Sequence, residues 1–312
     1  MSQRFLPYGR HTVEDDDVAA VLSALHGELL TTGPHVDEFE RAFAAATGAK
    51  YAVACNSGTA ALHLAVLALD LAPTQAAVVP TMTFLATANV VRMTGAEVFF
   101  ADVDPQTGLM TAETFEAALG RAKAAGMQVR AALPVHLSGQ TCDMASLAAA
   151  SGNQVRLVED ACHALGVPNA GATVHSDIAC FSTHPVKAIA TGEGGVTTTA
   201  DADLAVRMRK FRSHSMVREP DEFVNTDLAF EGNVANPWYY EMPEIGWNYR
   251  IPDVLCALGT AQLKKLPRFF ARRQAIAALY DRMLAPLAPV VTPVVDRKST
   301  RLNSSHTDIS RM

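Results

Sequence analysis

The sequence predicts an α/β protein built around a mostly parallel β-sheet with helices on both faces. Between residues 51 and 158, short apolar runs of strand length alternate with segments of helical periodicity. The short runs are apolar at successive positions, which is typical of strands buried on both faces of a sheet. With 312 residues, 49% of them hydrophobic, the chain can form one large domain and a smaller one.

The predicted elements follow each other in a regular order. Two amphipathic helices come first, at 13–25 with Thr12 as a candidate N-cap and at 36–46. The strands that follow are predicted at 51–55, 76–80, 98–100, 129–133 and 155–158. The helices between them are predicted at 59–69, 85–93, 112–124 and 144–150. After a long polar and aromatic loop at 213–251, helical periodicity returns at 253–266 and 269–284.

Composition argues against several classes of function. The net charge of −6 disfavours a nucleic-acid partner, because nucleic acids select basic surfaces. There is no basic-then-apolar leader and no apolar run of membrane-spanning length, so we expect a cytoplasmic protein with no membrane partner. The five cysteines include no C-x-x-C pair, which predicts free thiols, and no cluster of ligands indicates a metal.

Polar and aromatic residues gather where the predicted strands end. The residues at or just past such ends are Ser57, Thr81, Phe84, His136 and Asp160. In open parallel sheets, ligands bind beyond the carboxyl ends of the strands. We therefore expect these side chains to line a ligand-binding cleft.

The run Ser57-Gly58-Thr59-Ala60 ends a strand and opens a helix. The free N–H groups and the dipole of a helix favour an anion at such a point, so the run is a candidate phosphate site. An N-cap without a ligand is the alternative. Phe84, at another strand exit, could stack on a cofactor ring, although an isolated aromatic residue is more often part of the core.

Two further motifs carry titratable groups. Asp160, three residues before His163, could keep a pyridine nitrogen protonated, and a helix cap is the alternative. Lys187 lies between Ser182 and the glycine-rich run 192–195. In this position its amine could form an imine. The alternative is a solvated surface charge, which is the usual role of an isolated lysine. An amine, a carboxylate for the ring nitrogen and donors for the phosphate are what pyridoxal 5′-phosphate requires.

With these motifs, the chain resembles the DegT/DnrJ/EryC1/StrS sugar aminotransferases, which are fold-type I enzymes dependent on pyridoxal phosphate. The resemblance covers most of the chain and rests on the segments 30–34, 57–59, 159–163, 182–187 and 247–250. It implies that Lys187 bonds to the cofactor and moves the reacting proton. It further implies that Asp160 pairs with the pyridine nitrogen and that His163 supports the ring.

The resemblance also implies the remaining contacts of the site. Phe84 would stack on the ring. The phosphate would be held by Ser57, Gly58, Thr59, Ala60 and Ser182. Asn248 would reach the phosphate in the neighbouring subunit, which implies a homodimer with shared active sites. The nucleotide sugar would be bound with help from His214, Arg218 and Tyr240.

Within this family, segments 6–10, 183–187 and 237–241 resemble the UDP-sugar 4-aminotransferases of pseudaminic acid biosynthesis. The implied reaction moves an amino group from L-glutamate to the C4 keto group of a UDP-4-keto-6-deoxy-N-acetylhexosamine. Another nucleotide-sugar aminotransferase and a non-catalytic regulator on the same fold are the alternatives. Relatives that dehydrate sugars usually carry histidine in place of the lysine, so Lys187 speaks against that activity.

Three regions are predicted along the chain. Residues 1–250 form a large cofactor-binding domain, and residues 251–295 begin a small C-terminal domain that the resemblance implies is truncated. Residues 296–312 are almost entirely polar and are predicted to be a foreign or disordered tail. The truncation is expected to leave the apolar faces of the helices within 253–284 exposed.

Overall fold

The computed structural model describes residues 9–152 and 154–288. Its α-helices are α1 Asp15–Leu25, α2 Pro34–Thr47, α3 Gly58–Ala68, α4 Leu85–Met93, α5 Ala112–Ala124, α6 Met144–Ser151, α7 Ala202–Arg212, α8 Thr226–Ala229, α9 Asp253–Lys264 and α10 Leu266–Leu284. Its strands are β1 Tyr51–Cys55, β2 Gln75–Pro80, β3 Glu97–Ala101, β4 Gln128–Ala132, β5 Arg156–Asp160, β6 Ile178–Ser182, β7 Gly195–Thr199, β8 Phe230–Glu231 and β9 Val234–Ala235. The predicted tail and residues 289–295 lie outside the described residues.

A seven-stranded sheet in the order β1-β7-β6-β5-β4-β2-β3 forms the centre of the fold. The pairs from β3 through β6 are all parallel. β7 runs antiparallel to both of its neighbours, β1 and β6. The structure therefore confirms the predicted mostly parallel sheet and brings the carboxyl ends of five parallel strands to one edge.

Helices cover both faces of this sheet. α3 carries apolar residues around its whole circumference and is almost entirely buried, as expected of a helix enclosed between a sheet and other helices. On the opposite face, Phe43 of α2 packs edge-to-face on Phe181 of β6, with ring centroids 5.2 Å apart. These contacts fix the orientation of the strands whose ends carry the candidate site.

The start of the first helix and several elements after β5 differ from the predictions. The first helix begins at Asp15 with Glu14 as its N-cap, because Glu14 and Asp17 form a reciprocal capping box, so the prediction of Thr12 was wrong. The strands β6 to β9 and the helices α7 and α8 were not predicted. The strand β7 is fully buried yet rich in threonine, so it lacks the apolar run by which β1 to β5 were recognised.

The apolar face of α9 is covered in the structure, in contrast to the expectation from sequence. It packs against α1 and α2. Lys265, at the end of α9, reaches Asp16 at 2.6 Å and the fully buried Asp17 at 2.7 Å. On α10, by contrast, Tyr280 and Met283 are exposed. The expected exposure therefore applies to α10 and was wrong for α9, while the predicted domain boundary stays a prediction.

Candidate active site

A cavity of about 730 Å³ opens at the carboxyl edge of the sheet. The loops after β1, β2, β5 and β6 meet there. The predicted site residues that line it are Ser57, Gly58, Thr59, Phe84, Asp160, His163, Ser182 and Lys187. Thr81, Cys162, His184 and Glu193 line the same cavity. Residues from four separate loops thus converge on one space.

Several predicted residues lie elsewhere. The cavity lining does not include Ala60, Asn248, His214, Arg218 or Tyr240. His136 faces a second cavity of about 640 Å³, where its Nε2 lies 3.0 Å from Oε2 of the buried Glu159. The expectation that His136 joins the same cleft was therefore wrong, because it pairs with Glu159, whose side chain leaves the strand on the side opposite that of Asp160.

The N-terminus of α3 forms one end of the cavity. The Ser57 hydroxyl caps this helix by accepting a hydrogen bond from the Ala60 N–H at 3.0 Å. The Ala60 N–H is therefore engaged within the chain. The N–H groups of Gly58 and Thr59, the first two of the helix, have no partner within the helix and can meet an anion.

Gly58 is required at this position by close packing. A Cβ atom on Gly58 would lie 2.8 Å from Cβ of Ser182, closer than real Cβ contacts allow. The absent side chain lets the helix N-terminus lie beside the Ser182 hydroxyl. Together, two backbone donors and two hydroxyl side chains, those of Thr59 and Ser182, surround a space suited to a phosphate.

Asp160 is the last residue of β5 and is only 4% exposed. Its Oδ2 accepts a hydrogen bond from the Thr87 hydroxyl at 2.7 Å, and its Oδ1 accepts one from the Cys162 N–H at 3.2 Å. A buried carboxylate with a donor on each oxygen is held in one orientation. It can place negative charge at the floor of the cavity.

Lys187 extends into the same cavity from the turn after β6. Burial lowers the pKa of its amine, and this effect outweighs the opposing influence of Cys162 and Asp160. A lowered pKa increases the neutral fraction of the amine, which is the form that attacks a carbonyl carbon. The lysine is therefore not the solvated surface charge that its residue type would suggest.

His163 and Phe84 complete the walls. Nδ1 of His163 accepts a hydrogen bond from the Ser138 N–H at 3.2 Å, which fixes the imidazole ring. Phe84, the N-cap of α4, is 71% exposed. An aromatic face so accessible at the edge of a cavity can stack on a bound ring.

Sequence reasoning missed Thr87, which is fully buried and binds Asp160. The sequence contained a signal for Thr87. It lies three residues after Phe84, at the start of a predicted helix, so the two side chains are expected on the same face of that helix. Among the described residues, no group of three or more His, Cys, Asp or Glu side chains could hold a metal ion. Within the same ranges, no helix is both long and apolar enough to span a membrane.

Comparison with known proteins agrees with this geometry. Residues 11–312 match the profile of the DegT/DnrJ/EryC1/StrS aminotransferase family. DesV of S. venezuelae, solved in complex with a ketimine intermediate, is 30% identical, with a TM-score of 0.76 over 90% of this chain and 71% of that chain.

Two further solved structures are similar over most of this chain. PseC of Helicobacter pylori, an aminotransferase involved in the biosynthesis of pseudoaminic acid, is 27% identical, with a TM-score of 0.77 over 97% of this chain and 76% of that chain. An aminotransferase from Brucella abortus is 27% identical, with a TM-score of 0.80 over 92% of this chain and 73% of that chain. The chain belongs to the DegT/DnrJ/EryC1/StrS aminotransferase family, which depends on pyridoxal 5′-phosphate.

Proposed function

We propose that the cavity binds pyridoxal 5′-phosphate and that the chain transfers an amino group to a nucleotide-linked keto sugar. The observation that carries this proposal is the placement of Asp160, Lys187 and the α3 N-terminus around one cavity. The residues fit the cofactor, since Gly58 leaves room for an anion beside Ser182 and Asp160 supplies a fixed negative charge. This is the combination that the cofactor's phosphate and pyridine ring require.

In this proposal, different parts of the cavity bind the phosphate and the ring of the cofactor. Ser182, Thr59 and the first N–H groups of α3 would hold the phosphate, because helix N-termini bind anions. Phe84 would cover one face of the ring, and His163 would support it. The carboxylate of Asp160 would keep a proton on the pyridine nitrogen. When bound, the cofactor supplies an electron sink that stabilises negative charge next to the reacting amine.

Lys187 acts in two ways. Its amine, a larger fraction of which is neutral because of the lowered pKa, would hold the cofactor through a covalent link. The same amine would serve as the general base and acid for the reacting proton. Because its backbone N–H donates to the His184 carbonyl oxygen at 2.8 Å, the residue is held in a turn that faces the cavity.

For the substrate, we propose L-glutamate as the donor and the C4 keto group of a UDP-4-keto-6-deoxy-N-acetylhexosamine as the acceptor. The similarity to PseC supports this choice. We further propose that Asn248, which lies outside its own chain's cavity, completes the phosphate site of a second copy in a homodimer. His214, Arg218 and Tyr240 are proposed to contact the nucleotide sugar in that assembly.

The test begins with the purified protein and pyridoxal 5′-phosphate. Binding at the proposed site gives a visible absorbance that borohydride abolishes. Purified UDP-4-keto and dTDP-4-keto sugars are then supplied with L-glutamate, and the products are identified by mass spectrometry and NMR. An amino sugar formed at C4 of the UDP substrate supports the proposal.

Product from the dTDP sugar alone would assign the protein to another nucleotide-sugar aminotransferase. Tight binding of the cofactor with no amino transfer to any sugar would favour the non-catalytic regulator. No absorbance change with the cofactor would refute the proposal altogether.

A further inference from the structure

Two hydroxyl groups at the start of α4, those of Thr83 just before the helix and Thr87 in its first turn, form a chain that ends at Asp160. The Thr87 hydroxyl is 2.7 Å from Oδ2 of Asp160, and the Thr83 hydroxyl is 2.6 Å from the Thr87 hydroxyl. Thr87 and Asp160 are both buried, whereas Thr83 lines the cavity and is only partly covered. The carboxylate is thereby linked through two threonines to the surface of the cavity.

The direction of these hydrogen bonds follows from the chemistry of the groups. An ionised carboxylate can only accept, so the Thr87 hydroxyl must donate its single proton to Asp160. Thr87 can therefore only accept from Thr83, which makes Thr83 the donor in the second bond. The order is Thr83 to Thr87 to Asp160, and each bond strengthens the next.

We propose that Thr87 is a positioning residue for Asp160, holding the carboxylate in the orientation that meets the pyridine nitrogen. This inference rests on the proposed function. The hydroxyl holds one carboxylate oxygen, and the Cys162 N–H holds the other at 3.2 Å. Because Asp160 is only 4% exposed, each of these hydrogen bonds satisfies a carboxylate oxygen that has little access to water.

The same helical turn also carries Phe84. This residue is the N-cap of α4, and the Thr87 N–H donates to the Phe84 carbonyl oxygen at 3.2 Å. One rigid turn thus supports both the aromatic residue proposed to cover the ring and the hydroxyl that orients the carboxylate. A side chain without a hydroxyl at position 87 would leave a buried carboxylate oxygen with one donor fewer.

The test compares Thr87→Val, which keeps the shape and removes the hydroxyl, with Thr87→Ser, which retains it. Thr47→Val is the matched control, because the buried Thr47 hydroxyl binds only helix carbonyl oxygens on α2. Asp160→Asn is the reference for loss of the charge. For each protein, the visible absorbance of bound cofactor is titrated with pH, and the cofactor dissociation constant and kcat for amino transfer are measured.

We expect Thr87→Val to shift the titration midpoint of the bound cofactor in the same direction as Asp160→Asn, by roughly half a unit to one unit. We also expect kcat to fall by roughly tenfold or more. Thr87→Ser should restore the wild-type midpoint, and Thr47→Val should keep it. Should Thr87→Val fail to fold, Thr83→Val decides, with a smaller shift in the same direction expected.

The outcomes separate this inference from the proposed function. If the wild type takes up no cofactor, the proposed function fails. A second case is that the wild type and Asp160→Asn behave as proposed. The role of Thr87 is then refuted if Thr87→Val has the same midpoint and kcat as the control Thr47→Val. Thr83→Val is compared in its place if Thr87→Val does not fold. A midpoint changed equally by Thr87→Val and Thr87→Ser would also overturn it, since the hydroxyl would then not be the cause.

Discussion

Arg273 on α10 holds the backbone of Lys187. Its guanidinium donates one hydrogen bond from Nη2 to the Lys187 carbonyl oxygen at 2.9 Å and one from Nη1 to the Ala188 carbonyl oxygen at 3.0 Å. Burial lowers the pKa of Arg273. A half-buried charge that donates to two carbonyl groups of one turn links α10 directly to the segment that carries the candidate catalytic lysine.

Replacing Arg273 with methionine should loosen this turn while preserving much of the aliphatic packing. We expect the free energy of unfolding to fall by about 2 kcal/mol, since hydrogen bonds to charged groups are stronger than neutral ones. The cofactor should also bind more weakly. Urea unfolding and cofactor titration measure both effects.

Arg272→Met is the matched control for this prediction. Arg272 is the preceding residue on the same helix, it is exposed, and its side chain makes no hydrogen bond among the described residues. The Arg272→Met protein should keep both the wild-type free energy of unfolding and the wild-type affinity for the cofactor. Equal behaviour of Arg272→Met and Arg273→Met would contradict the proposed link between α10 and Lys187.

Lys187 is expected to be the residue that carries the cofactor. Reduction of the loaded protein with borohydride, followed by peptide mapping, should place the pyridoxyl group on Lys187. Lys187→Ala should abolish amino transfer, because among the described residues no other lysine lines the cavity from which the proton could be moved. The control is Lys265→Ala, because Lys265 pairs with Asp17 of α1 and does not line the cavity. A label on any other lysine would disprove the assignment.

Asn248 is expected to act in the site of a second copy. Its carbonyl oxygen accepts from Asn56 Nδ2 at 3.4 Å, and its backbone pairs with Ser213, so its position is fixed without any contact with its own cavity. Asn248→Ala and Lys187→Ala should each be weak or inactive alone. A mixed dimer holds one undamaged site, so mixing should restore part of the activity. Mixing without recovery, once subunit exchange is verified by mass spectrometry, would count against shared sites.

The buried His63 should make stability depend on pH. Desolvation lowers its pKa to about 4, and its Nδ1 lies 3.0 Å from the Tyr249 hydroxyl oxygen. Above the unfolded-state pKa of about 6.5, His63 is neutral in both the folded and the unfolded protein, so it does not lower the free energy of unfolding. As the pH falls from there towards 4, the unfolded state binds a proton that the folded state does not, so stability is lost.

In His63→Phe, which keeps a ring against Trp247, this part of the pH dependence should disappear. The wild type should lose roughly 3 kcal/mol more than the variant between pH 7 and pH 4. Urea unfolding across this range measures the difference, with the exposed His26→Asn as the control. An identical pH dependence in wild type and His63→Phe would rule out His63 as the source.

The sequence by itself determined the sheet and the location of the site. Continuous apolar runs such as 76–80 can be buried on both faces only in a helix-covered sheet, so their order along the chain predicted the architecture. The parallel direction then required that Ser57, Phe84 and Asp160 lie at the same edge. These predictions depend on local periodicity and on the positions of strand ends, which are properties of short segments.

Only the tertiary structure decided which distant side chains meet. Thr87 reaches Asp160 across 73 positions of sequence, and Arg273 reaches the Lys187 carbonyl across 86. A local pattern can place Thr87 on the same helix face as Phe84, but it does not show which distant residue Thr87 or Arg273 meets. The same holds for β7, which pairs with β1 and β6 and whose threonine-rich strand is packed against α3 and α7. Such contacts are set by the packing of helices and strands on one another, which brings together residues whose separation in the chain carries no periodic signal.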